Sequence, residues 1–384
     1  AEVRQCVMNA ALQRQQGDPV IVAQWAPALS RLSGHIMDLT ADFIVEDEAN
    51  QRSFEIQGLA NLLWAWATAG RASDEAFRIA SHCMIQQADQ HIDDGSDPRD
   101  LLKPQDWSNT VWAFASARIY DGHEDLLVYL ASLQHRYPCF VESFDSQNVA
   151  NTVWGIATLL SNKRAFLAEV VTEREQTAAL SVLRHLLLLV VQCLAENFGS
   201  QALSNTLWAM ATLGFGLPSD QDQSGNAYLI LESDRQVEDS MLMLETVDVI
   251  VQSSIRMLPR FQSQELSNVA WALARLLRLT SNEADAELGV NDVHKLLRGI
   301  GKRMTDPRLA MKSQEISNTL WGMAKLEFSN ADIYQGIVSH LLSPEIASQC
   351  EPQHFSNSLW AMATAELEIA GKLVFDTALV PMSE

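Results

Sequence analysis

The chain has little of what a metal centre, a disulfide scaffold or a membrane anchor requires. Its 384 residues hold five cysteines, Cys6, Cys83, Cys139, Cys193 and Cys350. They are far apart and form no C-x-x-C, which excludes a zinc ribbon and a disulfide framework and fits a reducing compartment. No uninterrupted apolar run is longer than Leu186–Val191, far short of the ~20 residues that span a bilayer. Basic residues are also scarce, 27 Lys and Arg against 48 Asp and Glu, for a formal charge of −21. That balance argues against a generally basic nucleic-acid binder and against an anionic membrane surface. No H-E-x-x-H, Walker glycine loop, G-x-G-x-x-G or G-x-S-x-G occurs. The nine histidines are dispersed, and His82 beside Cys83 reads as local packing. These absences predict a protein with no catalytic residue, no metal and no cofactor. The chain opens on Ala1, which predicts a processed start with any transit peptide already removed.

Tryptophan, in contrast, is plentiful, and seven of the ten anchor copies of one phrase. The copies read QGLANLLWAWA, QDWSNTVWAFA, QNVANTVWGIA, QALSNTLWAMA, QELSNVAWALA, QEISNTLWGMA and QHFSNSLWAMA, anchored at Trp64, Trp112, Trp154, Trp208, Trp271, Trp321 and Trp360. Seven residues before each Trp stands Gln: Gln57, Gln105, Gln147, Gln201, Gln264, Gln314 and Gln353. Three before it stands Asn: Asn61, Asn109, Asn151, Asn205, Asn268, Asn318 and Asn357. One after it only Ala or Gly occurs, and two after it a large apolar residue. A self-similar unit of about 40 residues with elastic loops predicts a stacked array.

With Trp as zero, the apolar positions −5, −1, +2 and +3 fall within about 100° on a helix. Residue −8 is Ser or Pro in six copies, predicting a helix start there with Ser as N-cap. Second helices are predicted over Glu75–Gln90, Glu124–Gln134, Ala178–Glu196, Met241–Leu258, Asp292–Met304 and Ala331–Leu342. No alternating strand pattern stands out. The expected fold is all-α, a right-handed-type α-solenoid of about seven helix–loop–helix repeats over residues 51–372. A degenerate cap over 1–50 precedes it, its Trp25 copy interrupted by Pro27, and a tail follows over 373–384. The acid-rich stretch 89–106 and the insertion 216–240 are expected to lie outside the packed helices.

Positions −7, −3, 0 and +4 share one face within about 60°. They spell Gln, Asn, Trp and then Thr, Ser, Arg or Lys. Two readings compete. In one, Gln and Asn bond bases and Trp stacks on them. In the other, the row is a structural ladder with buried indoles and amides that satisfy neighbouring backbone. Identity from repeat to repeat favours the ladder, because a sequence-reading surface must vary. The +4 residues do vary: Thr68, Ser116, Thr158, Thr212, Arg275, Lys325 and Thr364.

Charge varies along the chain as well. Residues 256–325 hold 11 Lys and Arg against 7 Asp and Glu. Arg275, Arg278, Lys295, Arg298, Lys302, Arg303 and Lys325 are therefore the candidate nucleic-acid contacts. An ordinary solvated helix face is the competing reading.

The phrase S-Q-E-[LI]-S-N-x-x-W-[AG]-[LM]-A-[RK]-L, at 263–276 and 313–326, closely resembles the octotricopeptide repeat. It also resembles the related heptatricopeptide and FAST-kinase-like helical repeats. The resemblance covers roughly residues 50–370. It implies an α-solenoid of paired helices that binds organellar RNA, including ribosomal RNA, in a plastid or mitochondrion. The intervals here, 39 to 63 residues, are mostly longer than the family's usual period. The family's common C-terminal RAP domain is not seen, so no chemistry follows from it. The alternative partner is a protein held by an acidic superhelix.

Overall fold

The structure, a computed structural model, describes residues 19–47, 50, 53–94, 102–167, 171–194, 197–217, 235–277 and 290–365. Among these it is all-helical, with sixteen α-helices and no strand.

Seven helices carry the repeated phrase: α2 (Ile56–Ala69), α4 (Pro104–Ala117), α7 (Ser146–Leu167), α9 (Ser200–Leu213), α11 (Ser263–Leu276), α13 (Ser313–Lys325) and α16 (Pro352–Thr364). Between them lie α3 (Asp74–Asp93), α5 (His123–Arg136), α8 (Glu173–Leu189), α10 (Gln236–Met257), α12 (Val290–Met304) and α14 (Ala331–Leu341). Each overlaps a second helix predicted from the sequence. The expected Ala178–Glu196 helix instead begins at Glu173 and passes into a π-helical turn at Val190–Leu194. Short helices at Pro138–Glu142 (α6) and Pro344–Ala347 (α15) have no counterpart in the sequence reading. The first helix, α1 (Pro19–Glu46), runs through Pro27 without the expected interruption. Residues 89–93 and 104–106 of the acid-rich stretch are helical; residues 95–101, 218–234 and 373–384 lie outside the described residues.

The helices pack in two series. Each motif helix lies against the motif helix before and after it, from α2 to α16. Helix α1 and the interval helices pack in their own series, α1 to α14. Each of the first six motif helices also contacts the interval helix that follows it.

The residue pattern accounts for this packing. Trp66, Phe114, Ile156, Met210, Leu273, Met323 and Met362, at +2, are all essentially inaccessible. The residues at −5 and −1 join them in the core in the first six repeats. Small residues at +1 admit the neighbouring backbone. A Cβ on Gly155 would stand 2.7 Å from Val111 Cγ1, and one on Gly322 would stand 2.5 Å from the Ala270 carbonyl oxygen.

Starts and stops are in register too. Ser200, Ser263 and Ser313 are the first helical residues and not N-caps; the caps are Gly199, Gln262 and Lys312. The Gln262 and Lys312 amides donate to Glu265 and Glu315 Oε2 at 2.9 and 2.8 Å, leaving the serine hydroxyls free for another role. Ser263 Oγ donates to Ala310 O at 2.7 Å and Ser313 Oγ to Gln349 O at 3.5 Å. Both acceptors stand eleven residues before the next Trp, so these bonds tie the fifth repeat to the sixth and the sixth to the seventh. At the other end, Gly70, Arg118, Gly214 and Glu327, each at +6, take positive φ. The next amide in each case bonds back to the +2 carbonyl, which closes the helix.

Candidate ligand row on the motif helices

Equal positions of successive motif helices meet, so the helices lie side by side and in register. Trp64 and Trp112 have ring centroids 6.4 Å apart, and Trp112 and Trp154 repeat that distance at the same 31° tilt. Asn151 Nδ2 donates to Asn109 Oδ1 at 3.5 Å. The face predicted to carry Gln, Asn and Trp is therefore a continuous row across these repeats.

The row is more open than the ladder reading expects. None of the seven motif indoles is buried: Trp64 and Trp360, at the two ends of the described row, are exposed 46% and 40%. The other five are half-buried. The physical reason is angular. Position +2 points into the seam with the interval helices, whereas position 0 stands about 160° away around the helix. Two other tryptophans show what a core indole looks like here. Trp66 is buried and donates Nε1–H to Met37 O at 3.2 Å, and Trp107, at −5, is also buried.

The amides are corrected in the same direction. All seven motif glutamines are exposed and satisfy no buried backbone group. Asn61 is exposed and the other six asparagines are half-buried. The ladder expectation of Asn bonding to a neighbouring backbone gives way to the single Asn151–Asn109 side-chain bond. Several motif serines and threonines are satisfied inside their own helix, whereas the Thr152, Thr158 and Thr212 hydroxyls are buried without a partner among the described residues. Ser108, Ser204, Ser317 and Ser356 donate to the −7 carbonyl, and Thr110, Thr206 and Thr319 to the −6 carbonyl.

The candidate cations are divided between the two series. Arg275 and Lys325 lie on the row. The Arg275 guanidinium sits 5.1 Å from the Trp271 ring centroid, and its Nε donates to Ala211 O at 3.2 Å. Lys325 Nζ stands 5.9 Å from the Trp321 ring and 4.9 Å from Trp360, so it bridges two repeats. Lys295, Arg298 and Lys302 are exposed on α12, an interval helix. Arg303 is half-buried, its guanidinium directed to Phe261 O at 3.4 Å and to Asp306 at 3.6 Å. The candidate cations therefore do not form one patch: Arg275 and Lys325 lie on motif helices, and Lys295, Arg298, Lys302 and Arg303 lie on an interval helix. Arg278 lies outside the described residues.

Acid is distributed just as unevenly, which the linear count conceals. The seven motif helices contain three acids, Asp106, Glu265 and Glu315, all in first turns, and four bases, Lys163, Arg164, Arg275 and Lys325. Interval helices α3, α5, α8 and α10 contain twelve acids and five bases. Most of the helices' negative charge thus stands off the row.

One buried polar cluster escaped the sequence reading. Glu175, fully buried at the start of α8, receives Lys163 Nζ at 2.9 and 3.1 Å and the Thr172 amide at 2.7 Å. His123 Nε2 lies 2.6 Å from the same carboxylate, and its Nδ1 lies 2.5 Å from Tyr120 O. Burial opposes ionisation of Glu175, but the His123 ring, the Thr172 amide and the Lys163 ammonium together hold its pKa down at about 2. The cluster joins α5, α7 and α8. Its members are 12 to 52 residues apart in a pattern no motif describes.

Among the described residues, no group of three or more His, Cys, Asp or Glu is placed to hold a metal ion. No helix among them is long and apolar enough to cross a membrane. No family model matches this chain, and no curated protein sequence matches it.

Proposed function

We propose that the protein is a non-catalytic α-solenoid of the octotricopeptide-repeat type that binds single-stranded RNA along its motif-helix row, in a plastid or mitochondrion. The series of side-by-side motif helices and the cross-repeat serine bonds support the solenoid reading. The observation that carries the RNA reading is the row itself: seven exposed glutamines in register with seven solvent-accessible indoles. Aromatic platforms stack on bases of any identity, and amides bond their edges. The net charge of −21 counts against a polyanion, but little of it lies on the motif helices. RNA processing, stability, translation or ribosome association are the roles the resemblance implies.

A second reading has its own observation. The acidic interval helices α3, α5, α8 and α10 suit a basic protein partner, which makes the array a scaffold in a larger complex. Filter retention of labelled single-stranded RNA at low salt, with a lysine-rich peptide as competitor, separates the two. Retention that the peptide leaves intact supports RNA on the row. A chain that retains no RNA and binds the peptide supports the scaffold.

A further inference from the structure

The repetition of the row says what kind of contact it makes. A surface that presents the same Gln, Asn and Trp at every step meets the same feature of its ligand at every step. Base identity is not such a feature; the π-face of a base is. The +4 residues are where the steps differ. They are Thr or Ser in repeats one to four and seven, and Arg275 and Lys325 in repeats five and six.

Those two cations are placed for an anion. Each lies against indole faces of the row, and neither is paired with a carboxylate. No other Lys or Arg occurs within the repeated −7 to +4 phrase. The three exposed cations of α12 belong to the other series of helices. In the first three repeats the row has no cation, and the rings of Trp64, Trp112 and Trp154 stand 6.4 Å apart in succession.

We infer that the row holds single-stranded RNA chiefly by stacking and amide contacts, without choosing among bases, and that Arg275 and Lys325 make its phosphate contacts. This rests on the RNA reading above and adds the way the strand is held. Two phosphate contacts on a single strand give a slope of log affinity against log salt of about −1.4, since each contributes about 0.7. A strand lying on Lys295, Arg298 and Lys302 as well gives a slope of about −3.5.

The test is fluorescence anisotropy of the full chain with labelled oligouridylate, oligoadenylate and a mixed-sequence strand, across a salt series. The inference predicts similar affinities for all three strands and a slope near −1.4. Arg275→Gln with Lys325→Gln should flatten the slope. Lys295→Gln with Arg298→Gln and Lys302→Gln should leave it unchanged. Trp112→Leu or Trp154→Leu should weaken binding between about fivefold and about 150-fold, the range for losing one stacked base, at unchanged slope. Trp112→Phe, which keeps a ring, should recover most of the loss and guards against a folding defect. A steep slope that falls on changing the α12 cations, or strong preference for one strand, overturns the inference and leaves RNA binding standing. No binding of any strand at low salt overturns both.

Discussion

At the scale of the residue, position around the helix decides whether a large side chain holds the fold or is left to solvent. Met210 and Trp208 are two residues apart, yet Met210 is fully buried and Trp208 only half-buried. Met210→Ala should cost about 2–5 kcal/mol in denaturant unfolding, the range for a large core side chain cut to Ala. Trp208→Leu should cost less than Met210→Ala, and the reverse order would return the indole to the core. Glu175 makes the sharper residue-level case. Glu175→Gln removes the negative charge between Lys163 and His123 and should destabilise by about 3–5 kcal/mol, as breaking a buried pair does. Its folded pKa of about 2 lies below the ordinary value of 4.5, so the folded state binds the proton less readily than the unfolded chain. The stabilisation is therefore present above about pH 4.5 and lost as pH falls toward about 2. Unfolding followed by circular dichroism along that acid limb should show the loss in the parent and not in Glu175→Gln.

At the scale of the element, the sequence makes the motif helices legible almost to their ends, because seven copies can be compared and the 3.6-residue period sorts core from surface. The interval helices were legible in place but only to within a few residues, since nothing but apolar spacing marks them. What could not be read was partnership. Ser at −8 looks like an N-cap locally, and only the approach of the next repeat's carbonyl shows that Ser263 and Ser313 serve the joint between repeats. The exposure of the motif indoles was missed for a related reason. Their invariance and small neighbours fit burial, but those small residues pack against the neighbouring motif helix. The Gly322→Ala methyl would collide with Ala270 backbone, which a side-chain rotation does not relieve, and should cost about 1–3 kcal/mol. Gly214→Ala should cost about 1–2 kcal/mol for a different reason, its left-handed φ of 69°. Thermal melts of the two variants check both, and an unchanged midpoint for Gly322→Ala contradicts close helix approach at that joint.

At the scale of the whole molecule, the series packing and the segregated charge are the features that matter, and neither is visible in a composition. A net count of −21 reads as repulsion of RNA only while the acid is taken as evenly spread. Once the helices are placed, the motif series is nearly neutral, with three acids and four bases, while α3, α5, α8 and α10 carry twelve acids and five bases. The proposed α-solenoid also predicts an elongated particle. Small-angle scattering should give a radius of gyration above the ~21 Å of a compact chain of this size, with a skewed distance distribution. A value at ~21 Å with a symmetric distribution contradicts the solenoid. The claim that the motif-helix row is the ligand surface is tested most directly by photo-crosslinking labelled single-stranded RNA to the full chain and mapping the linked peptides. The account predicts links to the peptides that carry Trp112, Trp154, Trp208, Arg275 and Lys325. Links confined to Lys295, Arg298 and Lys302 on α12, with the motif helices unmodified, would contradict it.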